Sequence, residues 1–130
     1  MEEGALGKEY NDGEIICRQG EIGDCMYVVQ VGQVEVVQEE SGHEVVIGNL
    51  RPGAIFGEMA IIDRQPRSAT VRAKGKARVL TLDKRAFLRR VHEDPSLAFQ
   101  ILQQMSQRIR QSDQELSRLR LLLAQEKGAV

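Results

Sequence analysis

Charge of one sign, cysteine and long apolar runs are all scarce in these 130 residues. Eighteen Lys and Arg against nineteen Asp and Glu leave a net charge of −1. With no basic surplus, the chain has no electrostatic footprint for neutralising many phosphates, which argues against nucleic-acid binding through this chain. No apolar stretch approaches the ~20 residues needed to cross a bilayer, and no signal peptide opens the sequence. A cytoplasmic domain without membrane insertion is therefore expected. Cys17 and Cys25 are too few for a disulfide framework, and free thiols, buried or half-exposed, are favoured over a redox role. His43 and His92 have no Cys, Asp or Glu near them at metal-ligand spacing, so no metal and no cofactor is expected. Nor does any nucleophile–base pair or second acidic group suggest turnover, and the chain reads as a non-enzyme.

What is present suits one domain with a single apolar core: 42% of residues are hydrophobic and 28% charged, the balance of a soluble globular protein. From about Glu14 to Leu82, short β-branched runs alternate with glycine. Met26 to Val31, Val34 to Val37, Glu44 to Ile47, Ser68 to Val71 and Arg78 to Leu82 are the expected strands. Val34–Val37 and Glu44–Ile47, joined through Ser41-Gly42-His43, read as a hairpin. Many short strands at close spacing predict an antiparallel roll or barrel. After Asp83 the pattern turns helical. Lys84 to His92 reads as a short helix, Asp94-Pro95 as a break, and Ser96 to about Gln125 as one long helix capped by Asp94. The fold class is thus α+β, mainly β: an antiparallel, jelly-roll-like β-roll, then a short helix and a long C-terminal helix. The expected boundaries are a tail at 1–9, the roll with its short helix at 10–95, the long helix at 96–126 and a tail at 127–130.

The densest chemistry lies in residues 56–71. Gly57 has no Cβ, so backbone there can approach a ligand closely, and the turn from Gly57 to Ile62 points its amides where an anion is favoured. Glu58 can accept from sugar hydroxyls. Arg67 is a planar, permanently charged fork suited to two phosphate oxygens, and Ser68 adds a hydroxyl donor beside it. Together they describe a site for one phosphate attached to one sugar, with Phe56, Met59, Ala60 and Ala69 completing the candidate lining. The alternative is a turn glycine at 57 and a structural ion pair between Glu58 and Arg67. Pro66 and the surrounding strand pattern favour the ligand site.

The long helix is a second source of function. Leu102, Met105, Ile109, Ser112, Leu116, Leu119 and Leu123 are spaced 3, 4, 3, 4, 3, 4, an uninterrupted heptad seam with one polar member. In a parallel pair, Arg108 would face Asp113 and Glu115 would face Arg120, opposite in sign both times. A homodimer through this helix is expected. The alternative is internal packing on the roll, which is expected for the early part around Phe99 and Ile101.

Residues 56–71 resemble the phosphate-binding cassette of cyclic-nucleotide-binding domains, as found in catabolite activator proteins, cyclic-nucleotide-dependent kinase regulatory subunits and cyclic-nucleotide-gated channels. Gly13-Glu14-Ile15-Ile16, Gln19 to Asp24, Met26 to Val29 and Gly32 to Val36 fit the family's glycine-punctuated β-roll, and Phe87 and Asp94-Pro95 fit its helical end. The resemblance covers about residues 10–125 and implies a regulatory sensor whose ligand is a cyclic nucleotide. It also places Ser112 and Asp113 where catabolite activator proteins carry a Thr-Ser pair that contacts the purine, Ser112 in its own domain and Asp113 in its neighbour. Asp113 departs from the family's serine. A carboxylate suits the amino group of adenine and opposes the O6 of guanine. Ser68, rather than the threonine of cyclic-GMP kinases, leans the same way, so cyclic AMP is favoured over cyclic GMP. The bland reading, with Ser112 a tolerated seam residue and Asp113 a surface ion-pair partner, remains open. So does a structural dimerisation or partner-docking module whose pocket is vestigial or takes another anion. The output is expected in a separate protein or in a further domain.

Overall fold

The structure is a computed structural model and describes residues 7–128. Its strands are β1 (Lys8–Tyr10), β2 (Ile15–Cys17), β3 (Cys25–Glu40), β4 (His43–Leu50), β5 (Ile55–Phe56) and β6 (Thr70–Asp83); its helices are α1 (Met59–Ile62), α2 (Lys84–Glu93) and α3 (Ser96–Gly128). All pairings are antiparallel, in the order β1-β6-β3-β4, with β2 added to β6 and β5 to β3. The sheet is open and rolled rather than closed.

The spine is the long β3–β6 ladder, from Cys25↔Asp83 to Val37↔Thr70. Where five short strands are expected from the sequence, β3 carries Met26–Val31 and Val34–Val37 as one strand, and β6 runs unbroken from Thr70 through Arg78–Leu82. Ser68 lies ahead of it. The glycine between the two halves of β3 bends the ladder without ending it. Register shifts fall on either side of Val31, and Gly32 takes φ +80° with Lys76 O only 2.2 Å from where a Cβ would stand. Such bulges tighten the twist, and the roll curls there. The expected hairpin closes at Glu40↔His43, with Ser41 at φ 54° and Gly42 at φ 79°, the two left-handed residues of a type I′ turn.

The expected tail at 1–9 needs correction at its end. Lys8 to Tyr10 pair with Val79 to Ala77, because Tyr10 is buried among core residues and Gly7 N donates to Gln30 Oε1 at 2.8 Å. Residues 1–6 and 129–130 lie outside the described residues, and α3 extends through 127–128.

Alternation along the strands feeds two cores. Tyr27, Val29, Val34, Val71, Ala73, Ala77 and Val79 fill the inside of the roll, while Met26, Leu80 and Leu82 point the other way onto Ile55 and Ile101. Phe87 of α2 and Leu97 and Met105 of α3 close this second core. Both helices start on side-chain caps, as the sequence indicates for α3: Asp83 accepts from Ala86 N at 2.7 Å, and Asp94 accepts from Ser96 N at 3.1 Å. Phe99, expected against the roll, is instead 62% exposed. It stands two helical steps, about 200°, from the buried Ile101 and so points outward.

Met26 is 1% exposed and joins the sheet to the helices. Met26→Ala is expected to cost about 2–5 kcal/mol in denaturant unfolding, since truncation leaves a cavity between rigid layers. A loss below ~1 kcal/mol would mean that the second core collapses easily.

Candidate functional site

β5 delivers the chain to Gly57, whose φ of +76° turns it sharply into α1, with Glu58 at the helix cap. A second left-handed residue, Arg64 at φ 56°, turns the chain back toward β6. Arg67 is then fixed through its backbone: its N–H donates to Glu21 O at 2.8 Å and its carbonyl accepts from Gly20 N at 2.8 Å. The side chain that this backbone presents is 8% exposed. Nη1 donates to Gly57 O at 2.8 Å, Nη2 to Cys25 O at 2.8 Å, and the guanidinium lies 5.2 Å over the Tyr27 ring. Tyr27 in turn stacks on Phe56, with centroids 4.9 Å apart. Two glycines make the slot. A Cβ on Gly57 would come within 2.4 Å of Nη1, and one on Gly23 within 2.3 Å of Nη2.

Among the described residues no carboxylate pairs with Arg67. The proposed alternative, an ion pair between Glu58 and Arg67, does not form. Glu58, 5% exposed, is bound instead by Arg108 of α3 through Oε1. Arg108 also donates to Ile55 O, and one turn earlier the Gln104 side chain accepts from Ile55 N and donates to Gly53 O, both at 2.9 Å. Two side chains of α3 thus hold the backbone that enters the cassette.

Burial dominates the titration of the aromatic and sulfur groups here. Loss of solvent pushes Tyr27 up, helped by its hydrogen bond with the Cys25 thiol at 3.3 Å, while Arg67 opposes the shift. Burial likewise raises Cys17 and Tyr10, with Arg67 again pulling Cys17 the other way. Both cysteines are free, Cys17 buried and Cys25 half-buried. Burial that raises the Cys17 thiol makes its surroundings ones for packing rather than reactivity.

An open cleft of about 1320 Å³ runs between the cassette, β4 and α3. All ten residues singled out from the sequence line it: Phe56, Gly57, Glu58, Met59, Ala60, Arg67, Ser68 and Ala69 on one wall, Ser112 and Asp113 on the other. Phe56, Ala60 and Ala69 are buried, whereas Met59, Ser68, Ser112 and Asp113 are exposed. The sequence reading missed Tyr27, which floors the arginine slot, and Gln104. It also placed Arg108 at a helix–helix seam opposite Asp113, whereas Arg108 is committed to Glu58 of its own chain. Glu115, expected to face Arg120, pairs with Arg118 one turn on at 2.6 Å. The signal available for Arg108 was its spacing: Gln104, Arg108 and Ser112 recur every four residues and so share one helix face. Among the described residues no helix is long and apolar enough to cross a membrane.

Comparison with known proteins matches this geometry to a family. The family described as "Cyclic nucleotide-binding domain" matches residues 7–94. A cAMP-dependent protein kinase regulatory subunit of Blastocladiella emersonii is 42% identical over 81 residues, covering 62% of this chain and 20% of that protein. The chain spans about a fifth of the length of such curated relatives. Among solved structures, the Thermus thermophilus catabolite activator protein superposes with a TM-score of 0.77 at 31% identity, covering 86% of this chain and 53% of that one. The regulatory domain of Toxoplasma gondii PKA with cAMP gives 0.60 at 34% identity, covering 65% and 34%. On the fold, the cassette and these matches together, the chain belongs to the cyclic nucleotide-binding domain family.

Proposed function

We propose that the cleft binds a cyclic nucleotide, cyclic AMP in preference to cyclic GMP, and that the chain is a regulatory sensor that reports occupancy through α3. The observation that carries the reading is Arg67, a buried cation without a carboxylate partner among the described residues. Its guanidinium has five N–H donors; the two carbonyls take one each and the Cys25 thiol a third, at 3.6 Å. The rest can meet phosphate oxygens. Glu58 keeps Oε2 for a ribose hydroxyl while Arg108 orients the carboxylate through Oε1. Ser112 and Asp113 reach the base from α3, where Asp113 favours an adenine amino group over the guanine carbonyl. The relative named as a cAMP-dependent kinase subunit and the neighbour recorded with cAMP support the same ligand.

Signalling follows from the contacts of α3. Gln104 and Arg108 bind the segment that enters the cassette, so a ligand that shifts Gly57 and Glu58 also acts on the helix. Switching requires unequal affinity for the two helix positions. Beyond Arg108 every α3 residue described is exposed, including Ile109, Leu116, Leu119 and Leu123 of the seam, while Met105 packs on the chain's own core. We infer that a second copy covers this stripe as a coiled coil.

Isothermal titration of the chain with cyclic AMP, and separately with cyclic GMP, is expected to show binding to both with cyclic AMP tighter. Arg67→Ala should lose about 2–5 kcal/mol of that binding, since a charge-assisted phosphate contact disappears. Unchanged affinity in the variant would remove Arg67, and with it this site, from the reading. Sedimentation equilibrium should give a dimer for the full chain. A monomer at high concentration would contradict the seam.

A further inference from the structure

α2 has an inner face and an outer one of different chemistry. Ala86 and Phe87 pack on the second core, while Lys84, Arg85, Leu88, Arg89 and His92 face solvent. Four of the eighteen Lys and Arg of the chain fall in this ten-residue helix, against one acid, Glu93. Among the described residues Lys84, Arg85, Arg89 and Arg90 form no ion pair, so the charge of this face is uncompensated at close range.

Helix stability does not account for this placement. Lys84 and Arg85 occupy the first turn, at the positive end of the helix dipole, where the capping Asp83 is the one acid beside them and its carboxylate is engaged with Ala86 N. Arg85 and Arg89 are like charges four residues apart, a destabilising pair. Arg89 and Glu93 share the same spacing yet make no bridge. In the middle of this cationic face Leu88 is 53% exposed. Arginines around an apolar centre are the composition of a protein-binding surface, whereas a phosphate backbone has no contact to offer a leucine. The net charge of −1 gives no long-range attraction to nucleic acid either.

We propose that the outer face of α2 docks an acidic amphipathic segment of a separate protein, with carboxylates opposite Lys84, Arg85 and Arg89 around an apolar side chain seated on Leu88. The position gives the contact leverage. α2 joins β6 to α3, and Asp94 both ends α2, its N–H donating to Arg90 O at 2.8 Å, and caps α3. A partner held on α2 therefore touches the joint about which α3 would move. The surface lies outside the cleft and does not depend on what the cleft binds.

The test uses the full chain and a fluorescein-labelled helical peptide with a Glu-rich face centred on one Leu. A control peptide has every Glu replaced by Gln, and a short duplex DNA of matched charge is titrated in parallel. Anisotropy should show binding of the Glu peptide that weakens with salt, with amide shifts confined to α2 and its junction with α3. The double variant Arg85→Glu/Arg89→Glu should weaken binding by at least about tenfold, and Leu88→Ser should weaken it as well. The reversal puts an acid at the helix N-terminus but adds a like pair between positions 89 and 93, so the charge-neutral Arg85→Gln/Arg89→Gln variant, with its thermal midpoint measured, should also weaken binding while remaining folded. Equal binding of the Gln control, indifference to the charge reversal, or tighter binding of the duplex would overturn the proposal. A change in the sedimentation of the chain on charge reversal would also overturn it, by assigning the face to a second copy.

Discussion

A guanidinium taken out of water must find donors' partners elsewhere, and the way Arg67 does so constrains the whole cassette. Its two carbonyl partners come from β3 and from the end of β5, so the slot exists only when β3, β5 and the start of β6 are in register. Gly23 and Gly57 stand on either side because any Cβ would collide with the fork. Tyr27 offers its ring face and Phe56 backs it. A buried cation held only by neutral partners is poised for an anion. Replacing a carboxylate partner would cost the ion pair, whereas adding a phosphate to an unpaired fork gains a charge-assisted contact.

The second consequence is mechanical. The segment from Gly53 to Glu58 is fixed on one side by β3 and on the other by Gln104 and Arg108 of α3. Gln104 satisfies a carbonyl and an N–H two residues apart, as a neighbouring strand would, so the first half of α3 is docked directionally rather than by apolar contact alone. The described residues of its second half are exposed. The helix thus joins a region bound to the cassette with an exposed region, the arrangement that the proposed coupling between two sites requires.

Much of this was legible in the sequence, for identifiable reasons. Residues 56–71 carry their chemistry contiguously, so Gly57, Glu58, Arg67 and Ser68 could be read together, and the fold places them on one wall. Ser41-Gly42-His43 between two β-branched runs declared the hairpin, and Asp94 before Pro95 declared the start of α3. What escaped was long-range. Nothing local to Arg108 states that it lies beside Glu58, fifty residues earlier in the chain. Tyr27 reads as one more strand residue until β5 and β6 bring Phe56 and Arg67 onto it. Gly32 looked like the end of a strand because a bulge and a turn ask for the same residue. Phe99 was misplaced because apolar character was read without its phase relative to Ile101.

The most direct test of the account is a crystal structure of the chain with cyclic AMP. The account predicts the cyclic phosphate within hydrogen-bonding distance of the Arg67 guanidinium, the ribose 2′-hydroxyl on Glu58 with Arg108 still alongside, and the adenine facing Ser112 and Asp113. A nucleotide seated elsewhere, or a filled cleft in which Arg67 keeps both carbonyls and touches no phosphate, would contradict it.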